Sequence, residues 1–413
     1  MNKMRGRRFA KVSRKILIIP VLYTFLFFVL ATPTSYAGAI NKRVFLSPTM
    51  FNHSGFIEDH VVEYIHYNES FKIPRKDILF VLNDGVDQVN YKLNISNQVH
   101  HANSIVATIV HLRDCYVSPS TFVATLDSLM YRPPAAWYIK SLFDFYPGKV
   151  VGSYDSVIAL GHLYVYSFGH FVNDVLAPLI LIPKEVRDKS YILCFTSYFL
   201  ARKFLPAFGL EKRFLKLNRY QWVYANHVYV ADNPRTHVSH YGPAFKNLSI
   251  LFKEKYNLMD VKPDRYILSN RKGKIRRVPN FKEVVKTVKT LFPQYNWEAF
   301  IDNANSISTI CKTWGRAQVL YLVTGSNVFK CFFLPQSCMV IILFGKVYDN
   351  STLFALGSLN IHTCLVIEPQ INHAVYPTTE PMSLKKTEDA FKAVIYYLEH
   401  KEWPKVDYGK VVI

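Results

Sequence analysis

The sequence predicts an α/β protein whose strands are mostly parallel and fall into two blocks. Two observations carry this. Short apolar runs alternate with helix-like stretches on both sides of residues 261–264, a charged segment that contains Pro263. In the second block two such runs each end in a basic or glycine turn and lead into a helix. Half of the 413 residues are apolar and 15% are aromatic, enough for roughly two cores.

The chain opens with seven cations and no acid in its first fifteen residues, then runs from 16 to 31 without a charge. Basic, apolar, then polar is the pattern of a secretory signal or signal anchor. Sixteen residues of helix span about 24 Å, short of a ~30 Å hydrocarbon core, and the uncharged stretch 32–40 can extend the span. The expectation is a type II anchor within 1–40, with the N-terminus cytosolic and the bulk lumenal. Ser35 and Ala37 sit at −3 and −1 of a signal-peptidase site, so cleavage after Ala37 would give a secreted protein. Golgi or endoplasmic reticulum membrane is the expected address. Sequons at Asn52, Asn68, Asn94, Asn247 and Asn350 agree with it. The net charge of +20 would suit nucleic acid, but a lumenal address leaves membrane and glycans as the expected partners.

Residues 41–75 read as a polar stem. Its His53, His60 and His66 lack a carboxylate or cysteine set, so no metal site is expected. The six cysteines show no Cys-x-x-Cys spacing, and fifteen pairings remain open to them. Residues 76–262 form the first block: strands near 78–82, 104–112, 150–160, 190–196 and 222–231, with a helix-like stretch over 197–208. Residues 263–413 form the second. A strand at 265–269 leads into a basic loop, then a helix over 281–292. The stretch 301–315 reads as helix, 319–323 as a buried strand, 324–327 as a turn, and 388–400 as an amphipathic helix.

Two places carry chemistry. Residues 164–183 read as a helix with Phe171, Val172, Val175 and Leu179 on one side and His170, Asn173, Asp174 and Ala177 on the other. His170 and Asp174 stand one turn apart, an imidazole and a carboxylate placed for acid–base work. The same pattern also suits a solvated polar face. Pro178 removes the donor for the Asp174 carbonyl, so the helix should kink or end there. The second place is Arg271, Arg276 and Arg277 ahead of Asn280, where cations and the free N–H groups of a helix start make an anion site. The turn at Gly325 admits a ligand close to the backbone.

In order and spacing these segments resemble glycosyltransferase family 61, which includes plant β-1,2-xylosyltransferases and animal enzymes that add N-acetylglucosamine to O-linked protein glycans. The family's His, acid and Pro match His170, Asp174 and Pro178. Its strand end, arginines and Asn match Leu268, Ser269, Arg271, Arg276 or Arg277, and Asn280. Its strand, glycine turn and Leu-Pro match 320–323, Gly325 to Asn327, Leu334 and Pro335. The family His before the turn is Thr324 here, and the family Glu after it falls at Ile342 or Leu343.

The resemblance implies a GT-B-like architecture, two Rossmann-like domains facing a cleft. The absence of any Asp-x-Asp agrees with it. It also implies an inverting enzyme that takes a nucleotide sugar, UDP-N-acetylglucosamine or UDP-xylose, to a glycan or glycoprotein acceptor and needs no cofactor. Asp174 would be the base, with His170 beside it. Ser269, Arg271, Arg276, Arg277, Asn280, Thr324, Gly325, Ser326 and Asn327 would hold the donor. The two departures point to an alternative, a catalytically degenerate lumenal binding protein of the same fold.

Overall fold

The structure is a computed structural model. It describes residues 43–44, 58–67, 79–82, 107–124, 129–131, 148–161, 164–194, 198–218, 221–232, 242–302, 306–345, 350–371 and 377–405, all within one compact unit, Ile40–Ile413. The expected anchor lies outside the described residues, as do the sequons at Asn52, Asn68 and Asn94. Among the described residues no helix is long and apolar enough to cross a membrane.

The second block folds as expected. Strands β10 (Arg265–Arg271), β11 (Trp297–Asp302), β12 (Ala317–Val323), β13 (Met339–Phe344) and β14 (His362–Ile367) are joined by β3 (Leu79–Leu82) in a six-stranded sheet of order β11-β10-β12-β13-β14-β3. Every pairing is parallel. Such a sheet is covered on both faces, which is why β13 and β14 are buried along their whole length. On one face, helices Phe281–Leu291 and Leu384–His400 press Val284, Phe391 and Val394 against Val319, Tyr321 and Ile341. On the other, Leu320, Ile342 and Leu365 meet Phe252, Phe332 and Phe333.

Two expectations need correction here. Residues 301–302 end β11 instead of starting a helix, and the helix is Ile307–Thr313. Trp297 to Asp302 alternates buried and more open positions, the period-2 pattern of an edge strand. The strand near 78–82, expected in the first block, pairs in parallel with β14 and closes the edge of the second sheet.

The first sheet is mixed, not the parallel sheet of a Rossmann-like domain. Its order is β1-β7-β9-β4-β5-β6, with β2 on β4 and β8 on β7, where β1 is Arg43–Val44, β2 Val61–Tyr67, β4 Ala107–Val117, β5 Val123–Ala124, β6 Leu129–Tyr131, β7 Gly148–Ala159, β8 Tyr191–Leu193 and β9 Gln221–Asp232. Only β7 runs parallel to its neighbours β8 and β9. The reason is connection length. A helix separates β7 from β8, as a parallel crossover requires, whereas β4 turns back into β5 through 118–122, which leaves only the antiparallel arrangement. Residues 41–75, expected as a stem, supply β1 and β2 to this sheet. All six cysteines are free thiols.

One apolar core takes Ile109 and Ile158 from the first sheet and Ile267, Leu320 and Ile342 from the second. Between them lies the helix that carries His170, contributing Phe171, Val172, Val175 and Leu179, each 0% exposed.

Candidate active site

The His170 helix is an α-turn Phe168–Phe171, a π-turn Val172–Leu176 and an α-segment Ala177–Leu181. Pro178 neither ends nor breaks it. The N–H of Ala177 bonds to the carbonyl of Val172, five residues back, so the chain takes up the missing donor by widening one turn. The polar face is not solvated: Asn173 is 2% exposed, Asp174 7% and Ala177 0%. His170 Nδ1 and Asp174 Oδ2 lie 2.9 Å apart, with side chains 12% and 6% exposed. A carboxylate only accepts, so Nδ1–H donates and Asp174 fixes the imidazole tautomer, which makes Nε2 the basic nitrogen. The Tyr164 ring packs 5.8 Å from that of His170.

Ahead of the helix, Ser167 Oγ lies 3.3 Å from Ser326 Oγ. At Gly169 an added Cβ would stand 3.1 Å from Ser326 Cα and from the Phe329 ring. Glycine therefore lets the His170 helix pack tightly against the turn that follows β12.

That turn is the second half of the site. Gly325 has φ +124 and ψ −166, a conformation that glycine alone adopts readily. A Cβ there would lie 2.6 Å from Arg271 Nη1 and 2.8 Å from Arg276 Nη1, so both guanidinium groups rest on the Gly325 backbone. Arg271 Nη1 also donates to the carbonyl of Thr324 at 3.3 Å. Arg276 reaches this place through a left-handed backbone, φ 49. Arg277 is half-buried, and its Nε has no hydrogen-bond partner.

Asn270, unremarked in the sequence, closes the basic loop. Its Oδ1 accepts from the N–H groups of Arg271 (2.8 Å) and Val278 (2.9 Å), and its Nδ2 donates to the Val278 carbonyl at 2.9 Å. Asn280, expected at the anion site, instead binds the backbone of Met382 in both directions, at 3.0 and 2.9 Å. Its amide groups are taken by a loop 102 residues away. Ser269 is buried within β10, and Thr324 is 1% exposed with its Oγ1 lacking a hydrogen-bond partner. Ser326 and Asn327 are half-buried at the turn.

The sequence reading also missed a buried ion pair beside Arg271. Lys330 Nζ donates to both oxygens of Asp302, at 2.6 and 2.8 Å. A lone lysine inside the apolar stretch 328–334 was the available signal. Burial pushes the Lys330 pKa down, Asp302 opposes that, and Arg271 adds to the lowering. Burial, then the charge of Lys330, holds Lys203 down to about 8. Four cations thus share one neighbourhood with the Asp302 carboxylate. Of these, Arg271 and Arg276 rest on the glycine turn, and two guanidinium groups beside a turn can meet an anion. Among the described residues no group of three or more His, Cys, Asp or Glu side chains could hold a metal ion.

No curated protein sequence matches the chain. Residues 168–341 match the family model described as Glycosyltransferase 61. The match starts at the first residue of the His170 helix and ends within β13, so it contains the dyad, both arginines and the Gly325 turn. Over residues 168–341 the chain resembles glycosyltransferase family 61 and is a glycosyltransferase.

Proposed function

We propose that the protein is an inverting glycosyltransferase of the secretory pathway, moving a sugar from a nucleotide-sugar donor to a glycan or glycoprotein. UDP-N-acetylglucosamine and UDP-xylose are the first donors to test. The observation that carries this is the contact between the two half-sites. Gly169, next to His170, packs on Ser326, next to Gly325, where Arg271 and Arg276 rest. A base and an anion site are therefore adjacent, one from the element after β7 and one from the turn after β12. That adjacency at the carboxyl ends of strands in two sheets supports a GT-B-like division, with the acceptor on the first block and the donor on the second.

In this reading the acceptor hydroxyl oxygen attacks the anomeric carbon as the bond from that carbon to the diphosphate oxygen breaks. The hydroxyl proton passes to the His170–Asp174 pair. In the sequence reading Asp174 takes it directly; the hydrogen bond supports His170 Nε2 as the immediate acceptor, with Asp174 balancing the imidazolium. The electron pair leaves with the nucleoside diphosphate, whose growing charge Arg271 and Arg276 neutralise. Backbone groups of the Gly325 turn approach the phosphates, and no metal or cofactor takes part.

Turnover of the full chain against a panel of UDP and GDP sugars tests this. Transfer with inversion from one donor is expected. Binding of nucleoside diphosphate without any transfer would favour the degenerate reading, to which Thr324 and Ile342 point. The lumenal, type II address predicts a mobility shift on endoglycosidase treatment; Asn247 is exposed on helix Gly242–Lys255 and suits such a glycan. Lack of a shift, with no effect of removing all five sequons, would sink the address.

A further inference from the structure

Among the described residues four aromatic side chains are exposed: Tyr64, Tyr166, Tyr198 and Phe199. A single exposed ring is ordinary on a protein surface, so exposure alone decides nothing. Three of the four are already engaged. Tyr64 stacks on His66, with ring centres 6.1 Å apart. Arg202 and Lys216 stand over the Tyr198 ring at 5.9 and 5.5 Å, and Lys203 over that of Phe199 at 5.3 Å. Tyr166 is the most exposed of the four, at 61%. Among the described residues it has no hydrogen bond, ring contact or cation.

Its place in the chain sets it apart. Residues 164–167 form a tight turn, closed by the Ser167 N–H on the Tyr164 carbonyl at 2.9 Å. The next bond, from the Phe171 N–H to the Ser167 carbonyl at 2.9 Å, opens the His170 helix. Within the turn Val165 is buried in the same core as Val172 and Val175, which holds the backbone still. On one side of Tyr166, the Tyr164 ring packs 5.8 Å from that of His170. On the other, Ser167 Oγ lies 3.3 Å from Ser326 Oγ, beside Gly325. The Cα of Tyr166 is about 3.8 Å from that of Ser167. An unengaged aromatic ring is thus held by a fixed turn within two residues of a contact to each half-site. An acceptor whose hydroxyl reaches the His170–Asp174 pair lies beside this turn.

We propose that Tyr166 is the platform for the acceptor and that the acceptor is a sugar, which packs the C–H face of its ring on the tyrosine ring. The inference rests on the reading of His170 and Asp174 as the base, and it narrows the acceptor to a glycan. The face of an aromatic ring is apolar and negative. A sugar ring offers a flat face of polarised C–H groups and carries its hydroxyls at the rim. Stacking therefore covers the face and leaves a rim hydroxyl to meet the base. A serine or threonine acceptor carries its hydroxyl on a short side chain and has no such face to cover a ring. Tyr166 moves no proton in this role; it orients the sugar.

The experiment reads binding and turnover separately, on the full chain in detergent. Saturation-transfer NMR with the methyl glycosides of mannose, galactose, xylose and N-acetylglucosamine reports contact to ring C–H protons and needs no turnover. At least one glycoside should receive saturation from wild type and lose it with Y166A. With a glycan acceptor that is turned over, Y166A should raise the acceptor KM about tenfold, the size of a lost aromatic stack, and leave kcat and UDP affinity as they are. Y166F and Y166W keep the ring and should restore the KM. The melting temperature should not move, since the ring is exposed and unpartnered; a structural role would lower it and would lower kcat. Four results would each overturn the proposal: no saturation of any glycoside by wild type, an unchanged signal with Y166A, loss of UDP affinity in Y166A, which would put the nucleoside on this ring, or transfer to a serine or threonine peptide with the same peptide KM in Y166A. Glycoside binding that depends on Tyr166, without transfer from any donor, would support the platform and remove the base chemistry proposed above.

Discussion

G325A tests the anion site most directly. The alanine Cβ would be placed 2.6 Å from Arg271 Nη1 and 2.8 and 3.0 Å from Arg276 Nη1 and Cζ. Two costs follow. The backbone at φ +124 is strained for any residue with a Cβ, by about 1–3 kcal/mol, enough to lower the melting temperature by a few degrees. The clash is with flexible side-chain ends, so both guanidinium groups swing off the turn instead of forcing the backbone apart. A charge-assisted hydrogen bond contributes about 1.5–3 kcal/mol, and loss of one or two should weaken UDP binding by roughly tenfold to several hundredfold. The assay is UDP affinity with a melt on the same sample. G273A is the control: Gly273 lies in the same basic loop, and a Cβ there meets nothing within 4 Å. UDP affinity unchanged in G325A, with a normal melt, would refute the placing of the phosphates on this turn.

The other expectations concern neighbouring groups. D174N keeps the shape of the dyad and removes its charge; transfer should fall about 10²–10⁴-fold with UDP affinity unchanged, and full turnover would remove Asp174 from the chemistry. R271A should weaken UDP binding by roughly 1.5–3 kcal/mol, and R271K should recover only part of that, since an ammonium lacks the planar fork; equal affinity in R271K and wild type would exclude bidentate binding. Lys203 titrates near 8 when folded against about 10.4 unfolded, so between these values the unfolded chain binds more protons and this group makes stability rise with pH. K203M should therefore be more stable than wild type at pH 7, with an advantage that shrinks above about pH 8, and an advantage flat with pH would contradict the cause given.

The helix at 168–181 and the strands of the second sheet were legible because each is periodic over its own residues. The burial of Asn173 and Asp174 was not, because two sheets press on that helix and a helical wheel shows only one partner. The partners of the polar groups were harder still. Asn280 bonds to Met382, Asp302 to Lys330, and Arg276 lies over the Gly325 backbone. None of these follows from spacing along the chain. The mixed first sheet was missed for a related reason: apolar runs name strands, whereas their direction depends on connection lengths such as 118–122.

The two departures from the family pattern fall unevenly on the site. Thr324 contributes through its carbonyl, which accepts from Arg271, and any residue has a carbonyl. The missing imidazole therefore leaves the arginine–turn contact in place. Ile342 sits in the middle of β13, 0% exposed in the apolar core. A carboxylate there would be buried among aliphatic side chains. The acid at the carboxyl end of the next strand is Glu368, whose oxygens accept from the N–H of Ser383 and from Gln370, so it secures the start of helix Leu384–His400. Neither departure removes a cation from Gly325. What Arg271 and Arg276 offer is charge directed at phosphate, blind to the base. Under the proposed function R271A should reduce affinity for UDP and for GDP by the same factor, even if wild type prefers one of them. The two affinities, measured in both proteins, check this. A loss confined to one nucleotide would mean that Arg271 contacts the nucleoside as well, and would move the phosphates away from the Gly325 turn.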